Sequence, residues 1–464
     1  MNTTRRKFIN SIGMLAASSA FPISTFAFSK TSKLKVALVG TGIRGTTFWG
    51  KRLVDEYGEI LEFVGLSDIN SSRLKYAKNF IGANCPLFTN FEEMVKMTKP
   101  DLIIVTTKDS THHQFIIKGL EMGCDVLTEK PLTTDETKCQ AIIDAEKKSD
   151  KKLIVGFNYR WSPYATKIKE LLANKTIGDL VSVDFHWYLN TYHGASYFRR
   201  WHGEMESSGS LWVHKSTHHF DLLNWWINSE PNQVFAYGDL EYYGKNGTQR
   251  GPNCRSCNHK DTCEFYWDIT KDASSKKLYT DHEHEDGYIR DNCLFRENID
   301  IYDKMSAQVK YADNTVLNYS LTTYSPFEGW RVAFNGTKGR IEASQDIPYH
   351  SITSVDEAEK HVLEMAQNNK EELNHESIIV HKLWEKHEVI NIPMEKSGHG
   401  GGDKRLHDKI FVNPETTDPY GRTAGVRDGA MSILIGIGAR ISIESGKAIN
   451  IGELTDLKPK KERS

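Results

Sequence analysis

Four groups of residues in this chain have types and spacings that chemistry requires. Gly40-Thr41-Gly42-Ile43-Arg44-Gly45 has the pattern G-x-G-x-x-G between an apolar run and a helical one. Glycines there permit a tight turn and bring the backbone close to a diphosphate at a helix N-terminus. Asp68 ends the next apolar run, where a carboxylate can hold ribose hydroxyls and repels a ribose phosphate. The expected ligand is therefore NAD, with NADP less favoured, although Arg73 would soften that preference. The second group is Glu129-Lys130-Pro131, whose lysine can stabilise developing alkoxide charge. The third runs from Gly209 to Trp226 and holds His214, Lys215, His218, His219 and Asp221. A four-residue spacing puts His214 and His218 on one helical face, and an imidazole near its own pKa suits removal of a hydroxyl proton. His219 reads as core or surface.

The fourth group is Cys254, Cys257, Cys263 and Cys293, spaced C-x2-C-x5-C-x29-C. A close pair of cysteines suits a tetrahedral metal such as zinc, an oxidising compartment permits two disulfides, and an iron–sulfur cluster is a third option. These alternatives stay open, with His259, His282 and His284 as spare ligands. Cys85, Cys124 and Cys139 read as buried thiols.

These groups need elements to position them. Leu34–Val39, Ile60–Leu66, Asp101–Thr106, Asp125–Thr128 and Leu153–Phe157 read as strands. Helical patterns over Ser71–Ile81, Phe91–Met97 and His112–Met122 lie between them, and Thr133 with Glu136 forms a capping box for a helix to about Lys148. Strand and helix in alternation predict a doubly wound parallel sheet, the Rossmann arrangement, over residues 33–158. Beyond Asn158 the pattern changes to one helix, Ser162–Ala173, and strands at Leu180–Tyr188, Val234–Tyr242, Met305–Tyr311, Thr315–Thr322 and Arg331–Asn335. Turns at Asp313-Asn314 and Gly336–Gly339 predict a mainly antiparallel open sheet in an α+β domain over 159–464. A polar, cysteine-bearing insertion occupies 250–295, a second polar stretch runs from Ile347 to Lys396, and an amphipathic helix is expected over Arg427–Ser445.

With its glycine loop and Glu-Lys-Pro, the chain resembles the Gfo/Idh/MocA oxidoreductases over roughly Leu34 to Glu342 and the terminal helix. The resemblance implies that Lys130 touches both a substrate hydroxyl and the cofactor ribose, and that Asp109 and His112 lie beside the nicotinamide. It implies cofactor contacts from Ile43, Arg44, Thr106, Glu129 and Asn158, and substrate contacts from Arg160 and Lys215. The family writes Asp-x-x-x-His-x-x-Asp where this chain has His214, His218 and Asp221, so the catalytic histidine falls on His218 and the leading Asp is replaced by His214. Loss of that negative charge makes the base harder to protonate. The implied activity is hydride transfer from a secondary alcohol of a sugar, glycoside or polyol in a homo-oligomer. Gly398-His399-Gly400-Gly401-Gly402-Asp403 resembles a tail segment of NAD-dependent glycosidases, so redox-neutral glycoside cleavage or epimerisation is the alternative, and non-catalytic carbohydrate binding a third.

The chain has 464 residues, a net charge of −2, 39% hydrophobic and 26% charged residues. Such a balance excludes a disordered or fibrous chain and offers no basic field for nucleic acid. Thr4-Arg5-Arg6-Lys7-Phe8-Ile9, followed by a mildly apolar stretch from Ile12 to Phe28, reads as a twin-arginine export signal over 1–29, cleaved near Ala27 or Ser29. The expected compartment is the periplasm, the mature chain has no membrane span, and the cofactor is loaded before export.

Overall fold

In a computed structural model of the chain, residues 32–347, 375–395 and 398–463 are described. The segment 1–29 expected to be an export signal lies outside them, as does much of the stretch from Ile347 to Lys396. Six strands, β1 (Leu34–Val39), β2 (Leu61–Ser67), β3 (Leu87–Phe88), β4 (Leu102–Val105), β5 (Asp125–Thr128) and β6 (Leu153–Val155), form a parallel sheet in the order β3-β2-β1-β4-β5-β6. All four residues of β4 are buried because helices cover both faces. The order reverses between β1 and β4, which opens a ligand crevice at the carboxyl ends of these strands.

The helix at Ser71–Ile81 is capped by Asn70, whose side chain accepts the Arg73 N–H, and closes on left-handed Gly82. The expected capping box at Thr133 is corrected. The helix runs Glu136–Lys148 and its cap is Asp135, which accepts the Lys138 N–H. Aspartate caps better than threonine and its charge suits the positive helix end, while the Thr133 hydroxyl is buried without a hydrogen bond among the described residues.

The second sheet contains β7 (Leu180–Asn190), β8 (Pro231–Asp239), β9 (Lys304–Tyr311), β10 (Val316–Ser325), β11 (Glu328–Gly336), β12 (Gly339–Ile347), β13 (His375–Lys382), β14 (Glu388–Pro393) and β15 (Ile449–Asn450). Their order is β14-β13-β12-β11-β7-β10-β9-β8-β15, and among the described residues only β7 and β10 pair in parallel. Residues along β9 alternate strictly between exposed and buried, as in a sheet with helices on one face only. β13 and β14 arise in the stretch that reads as merely polar. The reason is visible in β14, whose residues are all exposed or half-buried, so no apolar alternation marks it.

The terminal helix spans Val426–Ser445, and its expected amphipathicity is corrected. Every residue from Gly429 to Ala439 is buried. It lies between the two sheets, meeting Val155 of β6 on one side and Val234 of β8 on another. At Gly436 a Cβ would stand 2.3 Å from the Trp212 carbonyl oxygen, so this crossing requires glycine. The two sheets thereby belong to one compact unit, Lys33–Ser464.

Candidate active site

A cavity of about 2580 Å³ opens at the carboxyl ends of β1 and β4 and is walled on the far side by the second sheet and its helices. The glycine loop forms its floor. Gly40 has φ +91°, and a Cβ there would lie 2.7 Å from the Thr106 carbonyl. Thr106 closes the turn from behind, its hydroxyl donating to Gly40 O at 2.5 Å. Gly42, by contrast, presents its open side to the cavity. This cradle fits a dinucleotide.

Asp68 lines the cavity but is well occupied. Its Oδ2 accepts from Thr41 N–H at 2.7 Å and the Thr41 hydroxyl at 2.9 Å, and its Oδ1 accepts from Asn70 N–H at 2.9 Å. Arg73 reaches Asp68 at 3.4 Å but spends its stronger bonds on Asp286 and on Leu278 O. The guanidinium is thus already committed, which removes the softening expected of it.

Glu129 accepts from Arg44 Nε at 2.5 Å and Trp49 Nε1 at 2.7 Å. Burial opposes its ionisation, but Arg44, Lys130 and Trp49 outweigh that and hold the carboxyl below its ordinary range. Glu129 and Arg44 thus brace each other at the rim. The His112 ring is clamped between two main-chain carbonyls, Pro131 O at 2.8 Å from Nδ1 and Thr107 O at 3.1 Å from Nε2. It braces the loop.

Lys130, at a cis peptide bond to Pro131, hydrogen-bonds His214 O through Nζ at 3.1 Å. Burial lowers its pKa, against the pull of Asp109 and Glu129. His214 Nδ1 stands 2.5 Å from Asp109 Oδ2. Burial and then Lys130 keep the His214 imidazole from charging. Burial also raises the Asp109 carboxyl well above its ordinary range, so the pair shares one proton between Nδ1 and Oδ2. The helical stretch expected around these histidines is two segments, Leu211–His214 and Ser216–Ile227, broken at Lys215. Both histidines still line the same cavity.

His218 lies flat on Tyr159, ring centroids 4.4 Å apart, and its buried Nδ1 has no hydrogen-bond partner among the described residues. Burial, then Lys130 and Lys215, push its pKa well below 6.5. Lys215 is itself buried, 4.6 Å over the Trp187 ring, and burial lowers it to about 8. Neighbouring His219 is core, bonded to the Tyr319 hydroxyl at 2.8 Å and stacked on Trp187.

Arg160, expected to contact substrate, does not line the cavity. It is fully buried, outside the cavity wall, and forms ion pairs with Asp221 and, at 3.2 Å, Asp428. Its neighbours face the site instead. Asn158 Nδ2 donates to Asp403 at 2.7 Å and approaches His399 Nδ1 at 3.0 Å, while its buried Oδ1 has no partner among the described residues. The Gly398–Asp403 loop therefore returns to the cavity rather than to the surface.

The four cysteines of the insertion border one small cavity, with Arg199 donating to Cys254 Sγ at 2.8 Å. They are free thiols, and among the described residues no three His, Cys, Asp or Glu side chains are arranged to hold a metal ion. Sequence reasoning missed Tyr197, Arg200, Trp201, His202 and Tyr279, all of which line the main cavity. The signal was the dense run of rings and cations from Tyr197 to His202 in an otherwise unassigned segment.

Two family models match the chain. The oxidoreductase family's NAD-binding Rossmann fold covers residues 34–157, and its C-terminal alpha/beta domain covers 169–451. The chain is 37% identical over 436 residues to YteT of Bacillus subtilis (strain 168), a protein whose name includes "oxidoreductase", covering 90% of this chain and 98% of that one. It is 22% identical over 222 residues to an inositol 2-dehydrogenase/D-chiro-inositol 3-dehydrogenase of Lactiplantibacillus plantarum, covering 48% of this chain and 58% of that one. Among solved structures, a levoglucosan dehydrogenase in complex with NADH and levoglucosan superposes with a TM-score of 0.63 at 15% identity, covering 90% of this chain and 100% of that one. The WlbA dehydrogenase from Bordetella pertussis, in complex with NADH and UDP-GlcNAcA, gives 0.61 at 16% identity, covering 90% and 99%. At such identities the likeness concerns the fold. Both domain models match in sequence, and so the chain belongs to the Gfo/Idh/MocA family of oxidoreductases.

Proposed function

We propose that the protein oxidises a secondary alcohol of a sugar, glycoside or polyol, with NAD held by the Rossmann half as hydride acceptor. The observation that carries this reading is the meeting of Lys130, the Asp109–His214 pair and His218 on one cavity beside the glycine loop. Bound nicotinamide would accept the hydride of the carbinol carbon. His218, kept neutral by burial and two lysines, takes the hydroxyl proton. The Lys130 ammonium, fixed by His214 O, faces the oxygen on which negative charge grows. Asp109 holds His214 in one orientation, as a second group able to bind or deprotonate a hydroxyl. Glu129, Arg44, Asn158 and the glycine loop hold the cofactor's place. NAD is preferred to NADP because Asp68 faces the ribose position and Arg73 is already paired. Relatives named for inositol and levoglucosan support a polyol or sugar substrate. The twin-arginine pattern supports export of the folded, nucleotide-loaded chain to the periplasm.

Lys130→Met and His218→Ala should each lower turnover roughly a hundredfold or more while nucleotide still binds, read as NADH absorbance with a panel of sugars and polyols. Near-normal turnover in either variant would refute the assignment. The return of the Gly398–Asp403 loop to the cavity favours a second reading, redox-neutral glycoside cleavage. Release of an aryl aglycone without net NADH would select it.

A further inference from the structure

The cysteine-bearing insertion does not project freely from the second sheet. Its roots are pinned where Asn253 pairs with Asn292 and Cys254 N–H donates to Asp291 O at 2.9 Å. Arg255 ties one limb to the other through Glu283 at 2.7 Å and Asp291 at 2.9 Å. From this base the chain reaches across to the Rossmann sheet, and its contacts there are polar. The Ile43 N–H of the glycine loop donates to the Tyr279 hydroxyl at 2.8 Å. Arg73 donates to Leu278 O at 2.9 Å and to Asp286 at 2.6 Å. Asn70 Nδ2 donates to His282 O at 2.9 Å, and Ser72 N–H to Glu285 at 3.2 Å.

Of these partners, Ile43 and Arg73 line the cavity, at the places that suit a dinucleotide's diphosphate and adenosine ribose. The glycine-loop amides are the diphosphate's natural donors, and Arg73 adjoins Asp68 at the ribose end. A hydroxyl that accepts from Ile43 keeps its own proton for a phosphate oxygen. The Arg290 guanidinium lies 4.3 Å over the Tyr279 ring and faces the same cavity. Arg200 lines that cavity too; burial and then the charge of Arg290 depress its pKa, a strain that a bound anion relieves.

We propose that the Cys254–Cys293 insertion is a clasp over the nucleotide, with Tyr279 and Arg290 as ligands of its diphosphate and the Arg73–Asp286 ion pair as its latch, so that the nucleotide stays with the chain between turnovers. The proposal rests on the nucleotide reading above.

The full chain is loaded with NADH, mixed with excess NAD, and the loss of nicotinamide fluorescence followed. Tyr279→Phe, Arg290→Gln and Asp286→Asn should each speed NADH release roughly tenfold. Tyr279→Phe removes one oxygen and leaves the ring beneath Arg290, so it tests the clasp without disturbing the fold. In the parent protein, NADH should also protect exposed Lys276 and Lys277 from trypsin. Release at the parent rate in all three variants, or cleavage at those lysines indifferent to NADH, overturns the clasp. Failure of the parent to bind NADH at all overturns the nucleotide reading and the clasp with it.

Discussion

His214 stands where the family pattern has an aspartate, and its consequences follow from charge. The chain supplies a carboxylate from elsewhere, Asp109, and turns it on the imidazole rather than on the substrate. Around His218 the named charges are cations, Lys130 and Lys215 foremost, so the acid limb of the kcat/KM profile should lie below pH 6.5. Lys215→Met removes one of those cations. Imidazolium then becomes easier to form, and the acid limb should move to higher pH, read from initial rates between roughly pH 4 and 8. An unmoved limb would mean that His218 is not the titrating base. Lys215 also affects stability. Its folded pKa of about 8 lies below the ordinary 10.5, so its cost is absent above 10.5 and complete below about 8. Denaturant melts of the parent between those limits should show stability rising with pH, and Lys215→Met should flatten that slope, leaving the part due to Lys169, which burial lowers to about 7. Lys130, His214, His218 and Lys215 were legible because motif spacing carries them. Asp109 as partner of His214 was not, because a hydrogen bond across so long a span of chain leaves no local periodicity.

Elements explain why neighbouring residues part company. Asn158 and Tyr159 face the cavity, while Arg160 turns inward to Asp221 and Asp428 and anchors the helix Ser216–Ile227 to the start of the terminal helix. Removing one partner of a buried pair leaves the other charge uncompensated, so Arg160→Leu should cost about 3 kcal/mol or more in denaturant unfolding. The KM of the folded fraction should not change. A raised KM with normal stability would return Arg160 to the substrate. Five strands of the parallel sheet were readable from apolar runs bounded by turns, and the helix Ser71–Ile81 from its spacing alone, whereas β3 was not, because two residues make no run. The terminal helix misled because burial on every side erases the polar face by which a helix is recognised as amphipathic. β14 misled for the opposite reason, since it buries almost nothing.

At the scale of the whole molecule the site is a seam. The glycine loop and Lys130 come from the parallel sheet, His214 and His218 from helices of the other half, and Tyr279 from the insertion. Ligand that bridges such parts binds only the folded state. NADH at about a hundred times its Kd should add about 2.7 kcal/mol and raise Tm by roughly 3 °C for a chain of this size, measured by differential scanning calorimetry. An unshifted Tm would mean that NADH does not bind the folded chain. Sequence showed both halves and their sheet types. How deeply the insertion reaches into the first half was not readable, because its contacts are single polar bonds made by short irregular segments.

The terminal helix also fixes an order of events. Val155 N–H, on β6 in the first half, donates to Ala424 O at 2.9 Å, and the helix that follows fills the space between the sheets. The sheet that leaves the ribosome first is therefore completed by residues much further along the chain. A nascent chain stalled before Val426 lacks the wall behind β6 and Trp212, and should remain sensitive to protease however long it waits. The nucleotide crevice is finished only once that helix has emerged and docked.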